Sequence, residues 1–215
     1  EGELLTDAEG LADVKNYAHS TFDLSKFTVV GSPNITDDGI ANGFSSSNHI
    51  TFSQNLGGWI TKFRIAFTLN SVISEQDLIS SSYFNAKVTS SAFVSFIVSD
   101  GVNSKTITTS TTALTANTDY IAEFIYNART YTSTTNVYSA DDTPVDTVSG
   151  TNTDSIVIPS SAETITLGYG TNALNGSIDL KKLDIKINDI PAFSGNKTGI
   201  DIVKPTNFNA YANGN

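Results

Sequence analysis

The sequence predicts an all-β fold, either two packed antiparallel sheets or a barrel, on three observations. From Phe22 onward the apolar residues recur with a period of two, the repeat of a strand with one buried face. Breaker clusters punctuate these runs at Ser32-Pro33-Asn34, Asp37-Asp38-Gly39, Ser45-Ser46-Ser47-Asn48, Ser99-Asp100-Gly101 and Asn175-Gly176-Ser177. Only 16% of the residues are charged against 39% hydrophobic, and Ser and Thr are abundant, a composition that suits strands with hydroxylated outer faces. A length of 215 residues accommodates one large all-β domain.

Residues 1–20 read differently. Thr6-Asp7-Ala8-Glu9 matches a capping box, and the spacing predicts a helix over Thr6–Ala18 with an apolar stripe of Leu11, Val14, Tyr17 and Ala18. Two readings of this helix stay open: it docks on its own sandwich, or it ends an upstream, oligomeric stalk. In Trp59–Leu69 the odd positions carry Trp, Phe, Ile, Phe and Leu while Lys62, Arg64 and Thr68 alternate with them, so Trp59 is expected to continue the buried register. Phe93–Val98 is apolar on both faces, which places it inside a sheet. Tyr120–Tyr126 and Tyr131–Tyr138 flank the turn Asn127-Ala128-Arg129 and read as a hairpin. Along Ile178, Leu180, Leu183, Ile185 and Ile187 the phase slips by one at Lys181-Lys182, the mark of a β-bulge. The Asn- and Gly-rich residues 205–215 read as a tail or linker, giving an organisation of 1–20, 21–204 and 205–215.

The segment Leu174–Asn188 (LNGSIDLKKLDIKIN) resembles the closing strand F-x-G-S-I-D-L-K-x-x-x-I-x-I-N-G of concanavalin A-like (laminin-G-like) lectin and glucanase domains, of the kind found on phage tail and structural proteins. Leu114–Phe124 is similar to that family's L-x-x-G-T-W-Y-x-V-x-F, with Asp119 where a Trp is frequent, and Tyr131–Ser139 to its Y-x-L-Y-x-S strand. Phe27–Pro33 and Ile40–Ser45 resemble N-terminal strands of the phage versions. The resemblance spans about residues 22–195 and implies an antiparallel two-sheet jelly-roll sandwich, here with a short N-terminal helix; one such fold hosts lectins, hydrolases and structural domains alike.

Several chemistries are disfavoured. A net charge of -10 with 12 scattered Lys and Arg argues against nucleic acid as a partner. No run approaches the roughly 18 apolar residues of a membrane span, and Glu1-Gly2-Glu3 lacks the layout of a signal peptide. The lack of Met leads us to expect a processed protein or an excised fragment, and the lack of Cys removes disulfides and thiolate chemistry. Glycoside hydrolases of the resembled fold carry E-x-D-x-x-E on one strand. The nearest string here, Glu75-Gln76-Asp77-Leu78-Ile79-Ser80, lacks the final Glu and reads as a turn-like, helical stretch, so no catalytic residue is expected. His19 and His49 stand outside any metal or triad spacing. No cofactor is expected; Asp141-Asp142 is the first pair to test for a rim calcium. The sequons at Asn34, Asn175 and Asn196 are expected by chance in so Asn-, Ser- and Thr-rich a chain.

A glycan site pairs an aromatic face with polar groups that bond hydroxyls. Tyr83, among serines, and Tyr138, before the acidic turn, are the candidate platforms; Asp100 and Asn103 share one loop and Asn172 lies in another, and these are the candidate polar contacts. The function expected is non-catalytic binding of cell-surface polysaccharide or glycan by a phage tail, virion or bacterial surface protein, in a virion or extracellular setting. The competing expectation is a structural or decoration domain that packs on neighbouring virion subunits, as a homo-oligomer, without binding sugar.

Overall fold

The computed structural model describes residues 22–100, 104–108 (backbone only), 112–151, 156, 158 and 160–195. The predicted helix over Thr6–Ala18 and the 205–215 tail lie outside these residues. Among them the helical piece is a three-residue 3-10 turn, Leu24–Lys26, capped by Asp23, whose carboxylate accepts from the Ser25 N–H. No helix among the described residues is long and apolar enough to cross a membrane.

The strands are β1 (Thr28–Val30), β2 (Asn34–Ile35), β3 (Ile40–Asn42), β4 (His49–Asn55), β5 (Ile60–Leu69), β6 (Gln76–Ser80), β7 (Phe84–Val88), β8 (Val94–Ser99), β9 (Ser104–Thr108), β10 (Asp119–Asn127), β11 (Thr132–Ser139), β12 (Pro144–Thr151), β13 (Ala162–Leu167), β14 (Gly176–Ile187) and β15 (Ile190–Ser194). They form two antiparallel sheets, β1-β4-β13-β6-β7-β8-β9 and β12-β11-β10-β5-β14-β3-β2, with β15 added along β14. This is the expected two-sheet jelly-roll sandwich. The hairpin, β10 with β11, pairs Tyr120 opposite Ser139 through Asn127 opposite Thr132, and β8 sits between β7 and β9.

The period of two becomes the core. Phe63, Ile65, Phe67 and Leu69 of β5 and Ala122, Phe124 and Tyr126 of β10 are buried with Phe84, Ala86 and Val88 of β7 and Val94, Phe96 and Val98 of β8. Phe84 sits at the centre, its ring 5.0 Å from Phe63 across the sandwich, 5.8 Å from Phe96 and 6.4 Å from Tyr126. A second group of rings, Phe27, Phe52 and Phe193, closes one edge, with Phe27 and Phe193 5.4 Å apart. There the two ends of this compact unit meet: the Asp23 N–H donates to the Gly195 carbonyl (3.4 Å) and Lys26 Nζ to the Ser194 carbonyl (2.8 Å).

The expected bulge is present and larger than a one-residue slip. Asp179 stands opposite Ala66 and the next partner pair is Asp184 with Arg64, five positions along β14 against two along β5. The bulge lets β14 change partners on its other edge, pairing with β3 over Ser177–Asp179 and with β15 over Asp184–Ile187. Leu180 and Leu183 both still point into the core.

Tyr126 carries a pH dependence. Its buried hydroxyl donates to the Ile156 carbonyl at 2.6 Å. Burial holds its pKa above the ordinary tyrosine value, and the charges of Tyr131 and Asp100 add to the rise. The folded state therefore keeps a proton that the unfolded chain releases from about pH 10, so this contribution to stability is present below that pH and is lost above it. Tyr126→Phe is expected to lose about 1–2 kcal/mol at pH 7, because the Ile156 carbonyl is left buried without a partner. The gap to the parent is expected to narrow as the pH rises above about 10 in guanidinium titrations; a constant gap would contradict the assignment.

Candidate functional site

At one end of β5 the chain builds a concave, amide-lined groove of about 620 Å³. Three segments far apart in sequence meet there: the end of β3, the residue after β5, and the β13–β14 loop running into β14. Ile40 and Phe44 supply apolar lining, while Asn42, Asn70, Asn175 and Ser177 supply polar groups. Asn70 Nδ2 donates to Asn175 Oδ1 at 3.3 Å and Asn34 Nδ2 to Asn42 Oδ1 at 3.4 Å. Each of these three groove amides thus uses one polar atom within the protein and keeps the other without a partner among the described residues. An Asn amide offers both donors and an acceptor at neutral charge, which is the chemistry that bonds sugar hydroxyls.

The loop that forms one wall is held from below by β6. The Asp77 carboxylate, 2% exposed, accepts from the Asn172 N–H at 2.7 Å and from Asn85 Nδ2 at 3.1 Å, and the Asp77 N–H donates to the Asn172 carbonyl. Gln76, also buried, accepts the Asn175 N–H at 2.8 Å and donates to the Ser71 carbonyl at 2.6 Å. Glu75 bonds Asn172 Nδ2 at 3.2 Å and pairs with Lys87 Nζ at 2.9 Å. The expectation that Glu75–Ser80 is turn-like and helical is therefore corrected: Gln76–Ser80 is the middle strand of the seven-stranded sheet. Pairing with β13 and β7 and burial of four of its five side chains override the helical look of its composition. All four carboxylate oxygens of Glu75 and Asp77 are engaged, and Ser80 stands where the glucanase pattern has its last acid.

Of the five residues singled out from sequence, the four that are described do not meet at one place. Asn172 adjoins the groove wall, with its side chain turned to Glu75. Tyr83 is half-buried against the core in the β6–β7 turn, and its carbonyl accepts the Ser99 N–H, which puts Asp100 beside it. Tyr138 lies on the outer face of the eight-stranded sheet with Arg64 over its ring at 5.3 Å; burial first, then the charge of Glu123, raises its pKa while Arg64 lowers it. Asn103 lies outside the described residues. Asp141 accepts from Ser139 Oγ (2.6 Å) and the Thr143 N–H (3.2 Å), bonds that hold its carboxyl below the usual aspartate range, and Asp142 pairs with Arg64. That pair, first to test for calcium, is engaged by the protein, and no three His, Cys, Asp or Glu side chains among the described residues are grouped to hold a metal. His49 stacks on Tyr169, ring centroids 5.8 Å apart, with its Nδ1 buried and without a hydrogen-bond partner among the described residues.

Trp59 is the second correction. It is not in the core but 55% exposed. β5 begins at Ile60, and the inward register ends at Thr61, whose hydroxyl donates to the Leu56 carbonyl. Asn188 Oδ1 accepts the N–H groups of both Trp59 (2.8 Å) and Ile60 (3.1 Å), and the Trp59 carbonyl accepts from Ala128, so the backbone is clamped and the indole faces out. The sequence signal was Gly57-Gly58, a breaker immediately before the Trp.

No protein-family model matches the chain, and no curated protein matches it. Solved structures do. Botulinum neurotoxin type C superposes with a TM-score of 0.54 at 12% identity, over 79% of this chain and 44% of that one. The seed lectin of Lotus tetragonolobus superposes at 0.52 with 10% identity, over 78% and 95% of the two chains. The CBM40 of the Ruminococcus gnavus IT-sialidase superposes at 0.50 with 12% identity, over 64% and 85%. At these identities the likeness is one of architecture, and the architecture is the concanavalin A-like jelly roll to which Gly176–Asn188 pointed.

Proposed function

We propose that the protein is a non-catalytic carbohydrate-binding domain that takes neutral sugar residues in the groove of Asn42, Asn70 and Asn175. The observation that carries this reading is the set of three half-used amides around a cavity of about 620 Å³, a volume in the range of small-ligand sites. Similar architectures support sugar binding in general: cell entry of the type C neurotoxin depends on interaction with two ganglioside molecules, and the CBM40 structure is a complex with α2,3-sialyllactose. The engagement of Glu75 and Asp77 in structural bonds supports binding without hydrolysis. The finer reading is a domain displayed in many copies on a phage tail, virion or bacterial surface, where weak single sites gain from avidity. Its support is the likeness of Gly176–Asn188 and the N-terminal strands to phage versions of the fold.

The test is calorimetric titration with neutral cell-surface oligosaccharides, followed by Asn42→Ala and Asn70→Ala. Loss of one hydrogen bond to a hydroxyl is expected to weaken binding about fivefold to tenfold in each variant, with the melting temperature nearly unchanged. Binding to no neutral oligosaccharide, or binding indifferent to both substitutions, would overturn the groove as the site.

A further inference from the structure

The groove lies at the C-terminal end of β5, and Trp59 stands before its N-terminal end. Ten residues of strand separate them, about 30 Å, so whatever Trp59 does it does apart from the groove. Its surroundings are built. Asn188 and Ala128 clamp its backbone from two loops. Gly58 lies so close to Ile187 that a Cβ there would sit 2.4 Å from the Ile187 methyl. On the other side the β10–β11 turn is fixed by Asn127 Oδ1, which accepts the N–H groups of Arg129 (3.0 Å) and Thr130 (3.3 Å). That turn lays the Arg129 guanidinium over the indole, 4.7 Å from the ring centroid.

The chain has two arginines. Arg64 is paired with Asp142. Arg129 has no carboxylate partner among the described residues, in a protein with 22 Asp and Glu against 12 Lys and Arg. The guanidinium lies over Trp59 with its N–H donors unbonded among those residues, while the indole stays 55% exposed. A planar guanidinium fork matches a carboxylate in a two-bond geometry, and an exposed indole face matches the C–H face of a pyranose. One ligand class presents both a few ångströms apart: a sugar acid.

We infer that Trp59 and Arg129 form a second site, for a carboxylated sugar of the uronate or sialate type, with Arg129 taking the carboxylate and Trp59 the ring. The inference rests on the glycan-binding reading but uses different residues, so the two can fail separately.

Trp59 is the sole tryptophan, and its emission therefore reports this site alone. The experiment titrates the full chain with oligogalacturonate and with sialyllactose, and in parallel with lactose and neutral galactose oligomers, following tryptophan emission and heat. The expected result is a saturable emission shift with at least one acidic probe and none with the neutral sugars. Arg129→Gln is expected to weaken that acidic probe about tenfold to a hundredfold, the size of a lost charge-assisted pair, with Arg129→Lys in between. Trp59→Ala, read by heat, is expected to lose it as well. Neutral binding in the groove is expected to survive all three substitutions. The inference is overturned if neither acidic probe binds, if neutral sugars shift the emission equally, or if Arg129→Gln leaves acidic binding unchanged. Acidic binding that instead falls with Asn42→Ala and Asn70→Ala overturns it too, and leaves the groove standing as the glycan site.

Discussion

Gly176→Ala is expected to destabilise the domain by at least about 3 kcal/mol, or to prevent folding. Gly176 opens β14 opposite Leu69, and a Cβ built on it would sit 2.0 Å from the Thr68 carbonyl oxygen and 3.1 Å from the Leu69 Cα. Those atoms belong to the backbone of β5, which cannot step aside without parting the two longest strands of the eight-stranded sheet. Gly43 provides the comparison: its φ of +76° strains any other residue, yet the nearest atom to an added Cβ is 3.8 Å away. Gly43→Ala is therefore expected to cost only about 1–2 kcal/mol, the conformational penalty alone. Guanidinium unfolding of both variants measures the difference. Equal small losses would mean that β14 and β5 are not packed as closely as described.

Phe84→Ala is the other large effect, with an expected loss of about 3–5 kcal/mol. Phe84 is fully buried and touches rings from both sheets, Phe63 and Tyr126 on one side and Phe96 on its own. Its removal leaves a cavity that three large side chains cannot fill without leaving their rotamers. At about 2–4 °C per kcal/mol for a domain of this size, the melting temperature is expected to fall by roughly 10 °C. Trp59→Ala removes a larger side chain and is expected to cost less than about 1 kcal/mol, since the indole is exposed and its main contact is the stack with Arg129. A reversed order would show that Trp59, not Phe84, supports the fold.

Much of the architecture was legible in sequence because it depends on local alternation. Phe63 to Leu69, Tyr120 to Tyr126 and Ile178 to Ile185 each declare a buried face, and Leu180-Lys181-Lys182-Leu183 declares the bulge. Where the outcome depended on distant partners, alternation misled. The Trp59–Leu69 pattern extends one step too far, because the Asn188 amide, 129 positions away, takes the N–H of Trp59 and ends the strand. Gln76–Ser80 looks helical and becomes a central strand because β13 and β7 pair with it, and Asn172 and Asn175, almost a hundred positions on, bond the side chains of Asp77 and Gln76. The groove was the least legible feature. Asn175 reads as ordinary turn chemistry and nothing in the local pattern singles out Asn42 or Asn70; only the pairing of β14 with β3 and β5 draws the three together. Of the residues that alternation and turn chemistry single out, Asn172 comes nearest to it, while Tyr83 is drawn against the core and Tyr138 lies beneath Arg64.

The meeting of Asp23 with Gly195 has a mechanical consequence. A load applied between two adjacent ends acts across the seam, so the Asp23–Gly195 and Lys26–Ser194 bonds break singly and β15 then peels from β14 one pair after another. The same sandwich held by one end and pulled through a ligand on its loops leaves that seam unstrained. Tethered from one side, the domain resists tension that would unzip it if it were strung in series.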